Sequence, residues 1–266
     1  MSPKTNDRVF KPIRIKYTGH GRSTTKPGTL IRNQIPIKTN QWDESRPGFM
    51  EADTVAHCGD AIEGMYAYTV DSVDIATGWT EQRATWGKGQ TGVLKQIKHI
   101  ENSLPFPLLG FDSDNGSEFL NYHLYRHFTD RKRLIEFTRS RAYKKNDNVH
   151  IEQKNWTHVR QWLGYVRPDN PKVVPLMNDL YTSEWRLFHN FFCPSMKLKK
   201  KKRIASKTVK CYHSPKTPYQ RALESKHVSK SVKDDLKEQF VGLNPFKLRK
   251  AMDKKISNVL KVNREK

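Results

Sequence analysis

The chain has 266 residues, and its 49 lysines and arginines against 27 aspartates and glutamates give a formal net charge of +22. This excess predicts affinity for a polyanion such as a nucleic acid, without predicting base specificity. The sequence contains no run of about 18 apolar residues and no apolar signal segment, so we expect no contact with a membrane. The three cysteines form no CxxC pair, which argues against a disulfide framework and favours a reducing, cytoplasmic compartment.

Composition divides the chain into three parts. Residues 1–45 are rich in Lys, Arg, Thr, Pro and Gly with little periodicity, which predicts a basic N-terminal arm. The turn signal Arg46-Pro47-Gly48 ends it. Short apolar runs then alternate with helical patterns, which predicts an α/β core over residues 46–190. Residues 191–266 form a basic C-terminal region.

The first part of the core contains three predicted strands linked by Asp and Gly turns. They cover Phe49 to Val55, Met65 to Val70 and Trp79 to Thr85. A helix follows, because apolar residues recur at helical spacing between Val93 and Ile100.

Two further strands alternate with helices in the second part of the core. The strands are predicted around Leu108 to Phe111 and at Leu134 to Thr138, with a helix between them that carries Leu120, Leu124 and Phe128. Asn148 can cap a last helix with one side formed by Glu152, Trp156, Val159 and Leu163. This element order is that of the ribonuclease H-like fold, a mixed five-stranded sheet flanked by helices.

The C-terminal region is predicted to be small, basic and helical. A basic run from Lys197 to Arg203 opens it. Thr217, Pro218 and Gln220 give a capping box with proline at the first helical position, and Asn244-Pro245 begins a second helix that reaches Leu260.

Three acidic residues occur where a carboxylate needs an explanation. Asp53 lies inside an apolar strand, Asp114 follows a buried strand in the segment Asp112-Ser-Asp-Asn-Gly, and Glu152 lies in the first turn of a helix. Each also has a structural explanation, respectively a hydrogen-bonded acid, ordinary Asn-Gly turn chemistry and interaction with the helix dipole.

Taken together, in the order Asp, Asp, Glu, these residues resemble the catalytic core of bacterial insertion-sequence transposases and retroviral integrases. The segments around Asp53, Asp112-Ser-Asp-Asn-Gly-Ser-Glu-Phe and Lys216-Thr-Pro-Tyr carry the resemblance. It implies that Asp53 bridges two Mg²⁺ ions, for which Mn²⁺ can substitute, and that Asp114 and Glu152 each complete one site.

The resemblance also implies an activity and partners. The expected reaction is metal-dependent DNA cleavage and strand transfer by a homo-oligomer on transposon ends and target DNA, in a bacterial cell and associated with the nucleoid. Members of this family carry an N-terminal helix-turn-helix region, for which residues 1–45 are too few, so the chain is expected to be a truncated transposase.

Several alternatives stay open at this point. Asp112 is a rival for the second acid, because residues two apart on a strand point to the same face. Asp71 is expected to be a turn or surface acid, although it follows an apolar strand and its place near the site stays open as an alternative. A non-catalytic DNA-binding remnant and a ribonuclease H-like nuclease are the alternative functions.

Basic residues near the acids and in the C-terminal region are candidate DNA contacts. Lys154 and His158 are predicted on the outer face of the Glu152 helix, and Lys144 and Lys145 in the preceding loop. The basic run adds five more side chains, Lys199, Lys200, Lys201, Lys202 and Arg203. Each position can equally be a solvated surface residue.

Overall fold

The computed structural model describes residues 31–38, 42–141, 149–204 and 207–265. Its centre is a five-stranded mixed sheet with the strand order β3-β2-β1-β4-β5. The strands are β1 (Phe49–Ala56), β2 (Ala67–Asp74), β3 (Thr80–Trp86), β4 (Gly110–Ser113) and β5 (Glu136–Arg139). β1, β2 and β3 form an antiparallel meander, whereas β4 and β5 run parallel to β1. This is the predicted ribonuclease H-like fold, which the strand order and directions confirm.

Helices cover both faces of the sheet. In chain order they are α1 (Gln90–Ser103), α2 (Tyr122–Thr129), α3 (Val149–Lys154), α4 (Gln161–Leu163), α5 (Val173–Leu180) and α6 (Arg186–Phe192). A π-helical segment, Asn155–Arg160, joins α3 to α4, and a second one, Tyr181–Trp185, joins α5 to α6.

Alternation along β1 divides the core into two hydrophobic clusters. Met50 and Ala52 face a cluster that includes Val93 and Ile97 of α1, while Val55 faces one that includes Val159 and Trp185. Successive side chains of a strand point to opposite faces, so one apolar strand supplies both layers.

Several details of the core differ from the sequence prediction, among them the second strand, which continues past Val70 to Asp74. The fourth strand lies two residues later than predicted, because it pairs in parallel with β1 from Phe49↔Gly110 to Ala52↔Ser113. Trp156 does not share the buried side with Val159 but is 50% exposed. The cause is the π-helical turn, which changes the helical period at this point.

The C-terminal region begins with a β-hairpin that was not predicted. The basic run forms β6 (Leu198–Ile204), which pairs antiparallel with β7 (Lys207–Tyr212). Three helices follow, α7 (Pro218–Glu224), α8 (Lys230–Val241) and α9 (Pro245–Arg264).

The predicted caps of α7 and α9 are present. The Thr217 side chain accepts from the Gln220 backbone N–H, and the Gln220 side chain accepts from the Thr217 backbone N–H. The Asn244 side chain accepts from the first turn of α9.

The C-terminal helices pack on the core. The ring of Tyr219 in α7 stacks on Phe191 with centroids 5.0 Å apart. Met252 and Val259 of α9 are buried in the same cluster as Trp185. No helix within the described ranges is both long and apolar enough to span a membrane.

Candidate active site

Two acidic residues of the predicted triad meet at one end of the sheet. The parallel register of β1 and β4 ends at Ala52↔Ser113, so Asp53 and Asp114 are the next residues along their strands. On the other side of β1, Asp53 pairs with Asp71 of β2. Because paired residues of neighbouring strands point to the same face, this face of the sheet gathers three carboxylates.

Both carboxylate oxygens of Asp53 accept a hydrogen bond. Its Oδ1 accepts from the Thr54 backbone N–H at 2.7 Å, and its Oδ2 accepts from Asn155 Nδ2 at 2.7 Å. Burial nevertheless raises the pKa of Asp53, and the negative charges of Glu118 and Glu152 add to the effect. The ionised carboxylate therefore lacks a sufficient positive partner at this position.

Asp114 lies in the tight turn that follows β4. Its Oδ1 accepts from the Gly116 backbone N–H at 2.9 Å. A Cβ atom on Gly116 would lie 2.7 Å from Glu118 Cδ and 2.9 Å from Asp114 Oδ1, so a larger residue here would displace these carboxylates. Burial raises the pKa of Asp114 to about 7, and the charge of Asp53 contributes next. The Asn-Gly turn therefore positions this acid beside Asp53.

Glu152 approaches the two aspartates from the helix side. It is exposed on α3, three residues before Asn155, and residues three apart share one face of a helix. Since Asn155 bonds to Asp53, that face points to the sheet end. Among the described residues, however, no group of three His, Cys, Asp or Glu side chains could hold a metal ion as placed. The structure thus brings Asp53 and Asp114 together and leaves Glu152 at the rim.

Asp112, the rival second acid, has a different environment. It is fully buried within β4, pairs with Glu51 of β1, and its Oδ1 accepts from Thr138 Oγ1 of β5 at 2.6 Å. It lies two residues deeper in the sheet than Asp114 and is bonded to the neighbouring strand, which favours a structural role.

Glu118 is a carboxylate to which the sequence analysis assigned no role. It is 2% exposed, and its Oε1 accepts from Thr54 Oγ1 at 3.1 Å and lies 3.9 Å from Lys88 Nζ. Its Oε2 has no hydrogen-bond partner within the described part of the chain. Its charge raises the pKa values of Asp53 and Asp114. The available signal was its place two residues after Gly116 in the same segment as Asp114.

Asp71 pairs with Asp53 and is also part of this environment. Its expected place in a turn or on the surface is wrong, whereas the alternative place near the candidate site agrees with the structure. It is fully buried in β2, and its Oδ1 accepts from Gln82 Nε2 at 2.8 Å. Burial raises its pKa to about 7, against the favourable charge of Lys154. Its Oδ2 has no hydrogen-bond partner among residues that the structure describes.

The prediction that Lys154 and His158 lie on the outer face of their helix is wrong. Both are buried, with Lys154 Nζ 3.3 Å from His158 Nε2. Burial lowers the pKa of Lys154 to about 8, although Asp71 opposes the shift, and it lowers the pKa of His158 well below the ordinary value. The outward side of the helix carries Gln153 and Trp156 instead.

The remaining candidate DNA contacts fall into two groups. Lys144 and Lys145 lie outside the described residues. The other five are all exposed on β6, namely Lys199, Lys200, Lys201, Lys202 and Arg203.

Comparison with known proteins gives one relative by sequence and several by structure. No family model matches the chain. The uncharacterized protein y4rM of Sinorhizobium fredii (strain NBRC 101917 / NGR234) is 37% identical over 222 residues, which are 83% of this chain and 63% of that protein. The chain therefore spans less than two thirds of its relative's length.

Three similar solved structures come from retroviral proteins. An intasome of simian T-cell lymphotropic virus in complex with PP2A regulatory subunit B56 gamma gives a TM-score of 0.46 at 13% identity, over 80% of this chain and 66% of that chain. The catalytic core domain of BIV integrase gives 0.40 at 16% identity, over 68% and 96%. The HTLV-2 integrase catalytic core domain in complex with magnesium gives 0.41 at 14% identity, over 56% and 91%. The fold assignment itself rests on the strand order and pairing described above.

Proposed function

We propose that the chain is a polynucleotidyl transferase of the transposase and integrase type, which cleaves DNA and transfers a strand. The observation that carries this proposal is the meeting of Asp53 and Asp114 at the same end of parallel strands, where burial raises the pKa of both and the charge of Asp53 adds to the shift of Asp114. Groups with pKa values perturbed in this way are candidates for a functional site.

The donor set supports a divalent cation. Asp53 and Asp114 supply carboxylate oxygens, which Mg²⁺ prefers, and Glu152 supplies a third from the facing helix. A bound cation would relieve the negative charge of these buried carboxylates and would offer a partner to Glu118 Oε2, which has none within the described ranges. Asp53, Asp114 and Glu152 would hold two Mg²⁺ ions, or Mn²⁺ in their place, which when bound would activate the attacking oxygen and stabilise the leaving one.

The other residues of the site orient these carboxylates. Asn155 Nδ2 and the Thr54 N–H fix the plane of the Asp53 carboxylate, and the Gly116 N–H fixes Asp114 Oδ1. Because these donors belong to a strand, a tight turn and a helix, the acids are preorganised before substrate binds. Preorganised ligands of this kind reduce the reorganisation needed during the reaction.

The proposed substrate and assembly follow from the charge and the reaction. The net charge of +22 favours a phosphodiester backbone as the partner. Joining two DNA ends to one target requires more than one active site, so we propose a homo-oligomer on DNA.

The test is an oligonucleotide assay with Mg²⁺. The labelled duplexes carry the DNA sequences found on either side of the gene, as candidate element ends, and wild type is compared with Asp114→Asn. Cleaved and joined products should form with the wild type and disappear with the variant. Asp112→Asn is the matched control, because the amide keeps an oxygen acceptor for Thr138 and should leave the products in place.

Three outcomes would contradict the proposal. DNA binding without cleavage by the wild type would indicate a non-catalytic DNA-binding remnant. Cleavage without joined products would indicate a ribonuclease H-like nuclease. Loss of products in Asp112→Asn but not in Asp114→Asn would show that the second acid was misassigned.

A further inference from the structure

A large cleft lies beside the helix that carries Glu152. Its volume is about 1310 Å³, and it lies between α3 with its π-helical continuation on one side and the β6–β7 hairpin on the other. His150 and Gln153, on either side of Glu152 in sequence, both line it. The cleft therefore adjoins the rim of the candidate active site.

The lining of the cleft is strongly cationic. Among the described residues, Glu44 is the one acidic residue that lines it. The cationic lining residues are Lys154, Lys197, Lys201, Lys210 and Arg249. A concave surface with one sign of charge concentrates an oppositely charged ligand, here a polyanion.

The hairpin presents two different faces. Lys201 pairs with Lys210, and both line the cleft, as does Tyr212 two residues further along β7. Lys200 and Lys202, the neighbours of Lys201, point to the opposite face because side chains alternate along a strand. Lys201 of β6 and Lys210 of β7 therefore form an inner pair that faces the cleft. Lys200 and Lys202 of β6 form an outer pair.

The base of the hairpin is fixed to the core. Ser195 and Lys216 form a two-way backbone bridge with N···O distances of 3.0 Å and 3.2 Å. Arg221 Nη1 donates to Thr77 O and to Ser195 Oγ, both at 3.1 Å. This anchorage sets the inner face of the hairpin opposite the Glu152 helix.

Aromatic side chains accompany the cations. Tyr212 is 47% exposed, and the indole of Trp162, against which the Arg249 guanidinium packs at 4.3 Å, also lines the cleft. A positively charged groove combined with accessible aromatic rings is typical of sites that bind single-stranded nucleic acid, because the cations contact phosphates and the rings stack on bases.

We infer that this cleft binds a single DNA strand, with its phosphates on Lys201 and Lys210 and a base stacked on Tyr212. This strand would be part of a DNA duplex whose two strands have separated next to the active site. The inference rests on the proposed function only for the choice of DNA as the nucleic acid.

The test measures equilibrium binding without catalysis. Fluorescence anisotropy of a fluorescein-labelled oligothymidylate, single-stranded or annealed to its complement, is recorded in EDTA for the full chain and for two double variants, Lys201→Glu/Lys210→Glu and Lys200→Glu/Lys202→Glu. The two variants change the net charge equally, but the first alters the inner face of the hairpin and the second alters its outer face. The inner-pair variant should bind roughly tenfold more weakly or worse. The slope of log K against log salt concentration should fall by about 1.4, since each lost single-strand phosphate contact removes about 0.7. The outer pair should change both quantities much less.

Tyr212 provides a second, uncharged test. Tyr212→Ala should weaken binding at least several-fold, because it removes one stacking platform, whereas Tyr212→Phe keeps the ring and should bind like wild type. Thermal unfolding of each variant checks that the fold is retained.

Two results would overturn the inference. Equal losses of affinity in the inner-pair and outer-pair variants would show that the positive charge acts non-specifically. If the chain bound the duplex more tightly than the single strand, and the outer-pair variant weakened that binding most, duplex DNA would lie on the outer face of the hairpin. Because the binding assay contains no metal, failure of strand transfer alone would contradict the proposed function and leave this binding site standing.

Discussion

Replacement of Asp71 by asparagine should stabilise the protein at alkaline pH. Asp71 is fully buried, and its pKa is about 7 against an ordinary value of 3.8. A raised carboxyl pKa means that the folded state holds a proton that the unfolded chain releases. Stability from this group is therefore complete below about pH 3.8 and is lost as the pH rises to about 7.

The magnitude follows from the pKa value. Each pH unit between the two pKa values costs about 1.4 kcal/mol of unfolding free energy. From pH 5 to pH 8 the contribution of Asp71 should thus fall by about 3 kcal/mol. The asparagine side chain of the variant cannot ionise, yet its amide oxygen can still accept from Gln82 Nε2, so the variant should lack this part of the pH dependence.

The assay is urea unfolding in EDTA at pH 5, 6, 7 and 8. Asp235→Asn is the matched control, because Asp235 is an exposed acid on α8. The difference in unfolding free energy between Asp71→Asn and wild type should grow with pH, and that for the control should stay flat. Parallel pH profiles for wild type and Asp71→Asn would refute the reasoning.

Three further substitutions test the packing around the site and the core. Asn155→Ala removes the 2.7 Å hydrogen bond to Asp53 and leaves a buried carboxylate oxygen without that donor, so urea unfolding should show a loss of about 1–3 kcal/mol. Thr217→Ala removes the capping box with Gln220 and should cost about 1 kcal/mol in the same assay. Trp185→Ala opens a cavity at a fully buried position and should cost about 3–5 kcal/mol, measured by thermal and urea unfolding.

Each of these substitutions has an exposed counterpart as a control. Asn102→Ala and Thr208→Ala alter the same residue types on the surface and should each change the unfolding free energy by less than about 0.5 kcal/mol. Trp156 is 50% exposed, so Trp156→Ala should cost at most about half as much as Trp185→Ala. A control that destabilises as much as its buried partner would contradict the assigned packing.

Local signals in the sequence predicted the elements well. The spacing of Val93, Ile97 and Ile100 fixes one buried side of α1, and all three are buried. Thr217 and Asn244 begin their helices as predicted, because a capping side chain bonds to backbone groups within its own first turn. Information of this kind lies within a few residues and is readable without tertiary contacts.

The sequence by itself determined the order of the strands and helices from β1 to α3, the strand that contains Asp53 and the turn that contains Asp114. Tertiary structure decided which carboxylates are neighbours. The register of β4 against β1 joins residues far apart in the chain, and it sets Asp114 beside Asp53 and Asp112 beside Glu51. A π-helical turn and the packing of α3 decided that Lys154 is buried, and pairing with β7 decided that the basic run has two faces. Such pairings depend on contacts between distant segments, which no pattern within one segment encodes.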